Sequence, residues 1–391
     1  AGAACLVLTH ILSIEDCIDA VDVETICILV GMMLLVAVIK NSGIFEYIAI
    51  KAAKIAKGRP WPIMVIFILI TAVCSGMLDN VTTVLLVGPM TLAITNILKV
   101  DPVPYIITQI MASNIGGTAT LIGDPPNIMI GSAAKLSFVD FILNTGVATV
   151  FVIIVGLICM YFIYGRKLFV TDESIAKVMQ LDENKAIKDR KLMHESVIVI
   201  ILVALCFIFH DQLGVQSCTV AIAAACIMLL IGGQEPEEII ADVEWPTILF
   251  FIGLFIVVGG MKKVGVITML ANGLISITHG NMVVTMMVIL WVSAIVSSFL
   301  DNIPFVATLI PMILTMQSEG MDVAPIWWAL SLGACLGGNG TLIGASANVV
   351  LSGISKNNGH PITFGQYFKI GFPMMILSII VCSVFLLIRF A

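Results

Sequence analysis

"LDNVTT" (residues 78–83) lies in the middle of a long apolar run, and "LDNIPF" (residues 300–305) lies in the middle of another, 222 positions further on. Burying an aspartate and an asparagine among Ile, Val, Leu and Met is costly, and doing so twice at one relative position points to a duplicated plan. The same offset of 222 pairs Thr25 with Thr247, Gly31 with Gly253, Lys40 with Lys262, Gly43 with Gly265, and Pro89-Met90 with Pro311-Met312. It also pairs Ala112 with Ala334; one deleted position later, "TLIGDPPN" (120–127) matches "TLIGASANV" (341–349). Two halves of one design are the sequence mark of a transporter built from structural repeats.

Composition agrees. Of 391 residues 60% are hydrophobic and 11% charged, with a mean hydropathy of +1.12, whereas a soluble domain carries about 25% charged residues. The chain reads as a polytopic membrane protein with no support for nucleic-acid binding; its net charge of -6 matters less than how charge divides between loops. Ten cysteines are scattered through apolar segments without CxxC pairs or metal-ligand spacing, and read as small buried hydrophobes, with Cys335, beside a glycine-rich break, the exception to watch.

Apolar runs that can span roughly 30 Å of hydrocarbon lie at 1–14 (partial), 25–39, 104–134 and 326–352 (both interrupted), 142–165, 197–210, 218–233, 246–261 and 367–388. Runs 63–98 and 282–316 each carry a polar tip at the centre. Taking these two as re-entrant hairpins puts 15 of the 19 Lys and Arg on one side, counting Lys369, and leaves Lys135, Lys262, Lys263 and Arg389 on the other. The first side is then cytoplasmic and the C-terminus outside. The expected fold is all-α, with two inverted-topology repeats, 1–165 and 197–391, each holding a re-entrant hairpin and a broken transmembrane helix, joined by a solvated cytoplasmic linker, 166–196. Carrying the repeat backwards starts the chain inside a helix, so about 25 native N-terminal residues are expected to be missing. "IFEYIAIKAAKIAKG" (44–58) suits an amphipathic helix at the cytoplasmic interface.

Irregular backbone at membrane depth is tolerated only where it is buried in protein or lines a cavity. "SNIGGTATLIGDPPN" (113–127) breaks its helix with glycine and proline, and "GGNGTLIGASAN" (337–348) with glycine alone. Freed carbonyls there suit a cation, and half-helix N-termini suit an anion or a neutral oxygen. Together with the two tips, these segments nominate Asp79, Asn80, Thr82, Thr83, Asn114, Thr120, Gly123, Asp124, Asn127, Asp301, Asn302, Asn339, Thr341, Gly344, Ser346 and Asn348 as substrate- or ion-binding. Asp79, Asp124 and Asp301 are the carboxylates, and Asp124 has Ala345 as its repeat mate. One such aspartate could exchange H+ for Na+. No Lys or Arg lies in these elements, which favours a cation, a neutral hydroxide-like solute, or an anion accompanied by Na+ or protons. His194 and His210, at the ends of a helix, read as interfacial.

"LDNVTTVLL", "NIGGTATLIGDPPN", "SSFLDNIPFVATLIPM" and "GACLGGNGTLIGASANVV", in that order, resemble the ion transporter superfamily, more narrowly the ArsB/NhaD/P protein (CitMHS-like) permeases and especially the P protein branch. The resemblance implies a secondary transporter of the prokaryotic cytoplasmic membrane, a homodimer with elevator-type movement, no cofactor, and H+ or Na+ as coupling ion. It implies one subsite at Asn80, Thr82, Gly123 and Asn127 and another at Asn302, Thr341, Gly344 and Asn348, with Na+ at Asn80, Gly123 and Asn127 and at Asn302, Gly344 and Asn348. The superfamily's substrates include arsenite and antimonite, Na+ in exchange for H+, silicic acid, and citrate and dicarboxylates; "LDNVTT" departs from the "NDG" of bacterial arsenite pumps. Two rivals stand beside this reading: an anion channel, and an intramembrane aspartyl protease, whose GxGD element is missing because Leu121 and Ile122 precede Gly123-Asp124.

Overall fold

The computed structural model describes residues 1–391, the side chain of Asp211 excepted, and helices are the only regular secondary structure among the described residues. The first half opens with α1 (Gly2–Leu8), α2 (Ile14–Ala20), α3 (Val23–Lys40) and α4 (Ile44–Ile55). It continues through α5 (Pro60–Met77), α6 (Asn80–Leu98), α7 (Val103–Thr118), α8 (Pro125–Ala134), α9 (Phe138–Phe141) and α10 (Val147–Met160). After α11 (Asp172–Met179), the second half runs through α12 (Arg190–Leu213), α13 (Ser217–Ile231), α14 (Pro236–Ala241), α15 (Trp245–Lys263) and α16 (Val266–Thr278). It ends with α17 (Met282–Ser297), α18 (Asn302–Ser318), α19 (Ala324–Gly337), α20 (Ser346–Asn357) and α21 (Phe364–Phe390). Seven helices are long and apolar enough to cross a bilayer, or eight if α16 and α17, bent by 119° at their break, count as one span. With this many spans it is an integral membrane protein.

Local signals start and stop these helices. Proline sits in the first turn of α5, α7, α8, α14, α15 and α19, where its missing N–H costs nothing. Capping boxes open α2, α9 and α21. Repeat mates Gly43 and Gly265 open α4 and α16 in the left-handed region, at φ 81° and 80°; a Cβ on Gly43 would also lie 2.1 Å from the Ala186 carbonyl.

α7 and α19 are buried almost all round, which places them at the centre of the bundle. α5 packs along α7 as α17 packs along α19. α6 packs on α20 and α18 on α8, so the second helix of each polar-tipped pair leans on the broken helix of the other half. α3 and α15 pack on each other; α3 also packs on α8 and α6, and α15 on α18.

Some expectations change. α12 begins at Arg190, seven residues before its apolar run, because Asp189 caps it with two backbone N–H bonds. The linker is docked on α4 and α6: Lys54 Nζ donates to Glu183 at 2.6 Å and to the Leu181 carbonyl at 3.2 Å. That hydrogen bond holds the Glu183 carboxyl below its ordinary range. Among the cysteines Cys17, Cys335 and Cys382 are buried, but Cys5 and Cys226 are exposed, since the outer faces of membrane helices offer apolar surface that a thiol can share.

Candidate functional site

The two broken helices are held by the same hydrogen bonds. Ser75 on α5 donates to the Ser113 carbonyl at 2.6 Å, and its mate Ser297 on α17 donates to the Ala334 carbonyl at 2.6 Å. Thr120 donates to the Gly76 carbonyl, and Thr341 to the Ser298 carbonyl. The Asn127 amide donates to the carbonyls of Gly117, Thr118 and Thr120 at 2.9 to 3.3 Å, and that of Asn348 to Gly338 and Thr341 at 2.7 and 2.9 Å. Carbonyls freed by the breaks are thus satisfied inside the protein, as burial demands. Glycine is required for this fit. A Cβ on Gly123 would lie 2.6 Å from the Ser75 carbonyl, and one on Gly344 would lie 2.9 Å from the Ser297 carbonyl.

The halves also bond to each other. Asn114 donates to Asn339 and Asn348, each at 2.9 Å, while Ser331 donates to Asn127 Oδ1 at 2.6 Å and Cys335 does so at 3.5 Å. Asn114 Oδ1 and Thr83 Oγ1 are buried acceptors without a partner among the described residues, the kind of group that a water or cation completes.

Beside this lattice is a cavity of about 30 Å³, room for a water or a small ion. Asp79, Asn80, Asp124, Asn302 and Ser346 line it, together with Met33, Glu244 and Thr247. Asp79 caps α6 by accepting from the Thr82 N–H at 2.8 Å and from the Thr82 hydroxyl. Asp124, fully buried, accepts from Asn302 Nδ2 at 3.2 and 3.4 Å. Glu244 accepts from the Thr247 hydroxyl at 3.2 Å. Three carboxylates therefore face one small space whose lining contains neither Lys nor Arg among the described residues. Such a set suits a proton or a monovalent cation and disfavours a bare multivalent anion.

Of the nominated residues, Asn114, Thr120, Gly123, Asn127, Asn339, Thr341, Gly344 and Asn348 belong to the bonded lattice, Thr82 buttresses Asp79, and Thr83 is buried on α6. Asp301 departs from expectation: half-exposed, it caps Ile303 and accepts from Ser346 at 2.8 Å, outside the cavity. Four residues, Ser298–Asp301, separate α17 from α18, against two, Leu78–Asp79, between α5 and α6, so the second acid has room to turn outward. Glu244 and Thr247 were not nominated. The pairing of Thr25 with Thr247, each three residues after an acid (Asp22, Glu244), was the available signal.

A family model described as citrate transporter (CitMHS) matches residues 1–333. An uncharacterized transporter of Mycobacterium tuberculosis is 41% identical over 397 residues, covering 100% of this chain and 92% of that protein. The P protein of Sus scrofa is 33% identical, covering 96% of this chain and 54% of that protein. Among solved structures, the Alcanivorax borkumensis YdaH transporter superposes with a TM-score of 0.65 at 14% identity, covering 92% of this chain and 84% of that one, which shows a shared fold.

Proposed function

The chain belongs to the citrate transporter family, and from that premise we propose that it is a secondary transporter exchanging a monovalent cation for protons, Na+/H+ antiport, in the prokaryotic cytoplasmic membrane. The observation that carries this reading is the small cavity enclosed by Asp79, Asp124 and Glu244 without a basic residue. A carboxylate there can hold either H+ or Na+, and competition between the two for one site is exchange. The movement is of elevator type: α3 and α15 stay still while the polar-tipped pairs α5–α6 and α17–α18, with the broken helices, carry the ion across as a homodimer. Residues 166–196 face the cytoplasm, where most Lys and Arg then lie.

A second reading is efflux of a small neutral hydroxide such as arsenite or antimonite, favoured by the same lack of fixed positive charge. Citrate, which names the family, needs a wider pocket than about 30 Å³ and accompanying cations.

The test is flux in proteoliposomes containing the full-length protein, with internal pH followed by a dye while NaCl, choline chloride, arsenite and citrate are added in turn. Protons moved by Na+, and not moved in Asp124→Asn, support antiport. Protons moved by arsenite or citrate but not by Na+ rule it out.

A further inference from the structure

The frame of α3 and α15 contributes to two pockets, and two of the residues it gives to one are the repeat mates of residues it gives to the other. At the site cavity the frame contributes Met33, Glu244 and Thr247. A second cavity, of about 230 Å³, has Asp22 and Phe255 in its lining. At the offset of 222, Asp22 is the mate of Glu244 and Phe255 the mate of Met33. Thr25, mate of Thr247, donates its hydroxyl to Asp22 at 2.8 Å, as Thr247 does to Glu244.

The opposite walls come from the same two helices but from different levels of them. At the site cavity α8 and α18 present their beginnings, Asp124-Pro125 and Asn302-Ile303. At the second cavity they present Met129 and Ala133, and Ala307, Ile310 and Pro311. Met129 and Ala133 lie five and nine residues beyond Asp124, and Ala307 and Pro311 lie five and nine beyond Asn302. Both helices thus run in step from one pocket to the other, and a slide of about 7 to 14 Å, at 1.5 Å per residue, would carry Asp124 and Asn302 to the second pocket. Asp19 and Lys262 also line that pocket, so it has a countercharge for its acids that the site cavity lacks.

We propose that the second cavity is the alternate station of the site. When α8 and α18 have moved, Asp22 and Thr25 meet Asp124, Asn302 and their cation, taking the places that Glu244 and Thr247 hold beside Asp124 and Asn302 in this structure. The inference rests on the elevator reading above.

It is tested on the full-length protein in liposomes, stripped of native cysteines and spin-labelled at Glu235 and Gln317, by pulsed distance measurement in NaCl and in choline chloride. The expected result is two separations differing by roughly the length of the slide. Asp22→Asn lowers the population absent from this structure about tenfold, as loss of a charge-assisted contact should, Asp22→Glu restores it, and Glu244→Gln depletes the other. Two populations whose ratio ignores Asp22→Asn would overturn the station and leave the sliding movement standing. A single separation in both salts would overturn the movement, and the station with it.

Discussion

At the first broken helix Asn127 ties three carbonyls together and Thr120 anchors the break to α5; at the second, Asn348 ties two and Thr341 anchors the break just beyond α17. The backbone solution is the same, yet the residue that starts the following helix is Asp124 in one and Ala345 in the other. Asn302 accordingly donates to a carboxylate, while the repeat counterpart of that carboxylate for its mate Asn80 is Ala345. Repetition here conserves what backbone burial requires, which is the same for both halves. Charge is free to differ, because the carbonyls at each break are satisfied by an amide and a hydroxyl whichever residue starts the following helix.

The strongest way to break this comparison is to make the halves alike. Asp124→Ala should lower coupled flux 10- to 100-fold, the range expected from losing a charge-assisted contact. It should not lower the thermal midpoint, since a buried charge leaves with it. Wild-type flux in this variant would mean that the asymmetry is incidental.

The shared part should respond symmetrically. Gly116 and Gly337 are repeat mates, and a Cβ would lie 2.1 Å from the Ala72 carbonyl in one and 2.6 Å from the Ala294 carbonyl in the other. Each Gly→Ala change should cost about 1 to 3 kcal/mol of stability, Gly116→Ala the more, as overpacked cores do. Thermal unfolding in detergent reads this out; a loss in one half only would show that the two breaks are not mechanically equivalent.

A finer probe separates three carbonyls from two. Asn127→Ala and Asn348→Ala should each cost about 1 to 3 kcal/mol for the orphaned carbonyls, with the first the larger. Hydrogen exchange should rise at 117–120 in one and at 338–341 in the other. Equal protection in both variants would mean that water replaces the amides.

How far these features could be read in the sequence depended on their range. Helix breaks at 119–124 and 338–345 follow from local glycine, with proline at the first, and the apolar runs give the long helices to within seven residues. Asp79 and Asp124 stood out because nothing near them in sequence explains a charge among aliphatics. Glu244 did not, because it sits beside Trp245-Pro246 at a helix start, where an acid is unremarkable until the fold brings α6 and α8 against it. α16 escaped for the opposite reason: at 13 residues it is too short to register as a span, and only its position opposite α4 in the repeat marks it.

The smallest predicted effect compares the ties that fasten the frame's ends. At one end Asp16 of α2 meets Lys263, the last residue of α15, at 2.6 Å; at the other Asp242, just after α14, meets Lys40 of α3 at 2.7 Å. Different residues make the same connection. The Lys263 ammonium, with help from the Ser13 N–H and hydroxyl, pulls the Asp16 carboxyl down to about 2. A depressed acid stabilises the folded state above its unfolded value, near 4, and loses that contribution as pH falls through 4 toward 2. Wild type should therefore lose more of its thermal midpoint between pH 4.5 and 2.5, as acid titrations generally sample it, than Asp16→Asn does. High salt should shrink the difference because the pair is exposed. If the two proteins instead melt in parallel across that range, α2 is held to α15 by its apolar contacts, and the ion pair merely decorates a junction that its counterpart at Lys40 makes with charge.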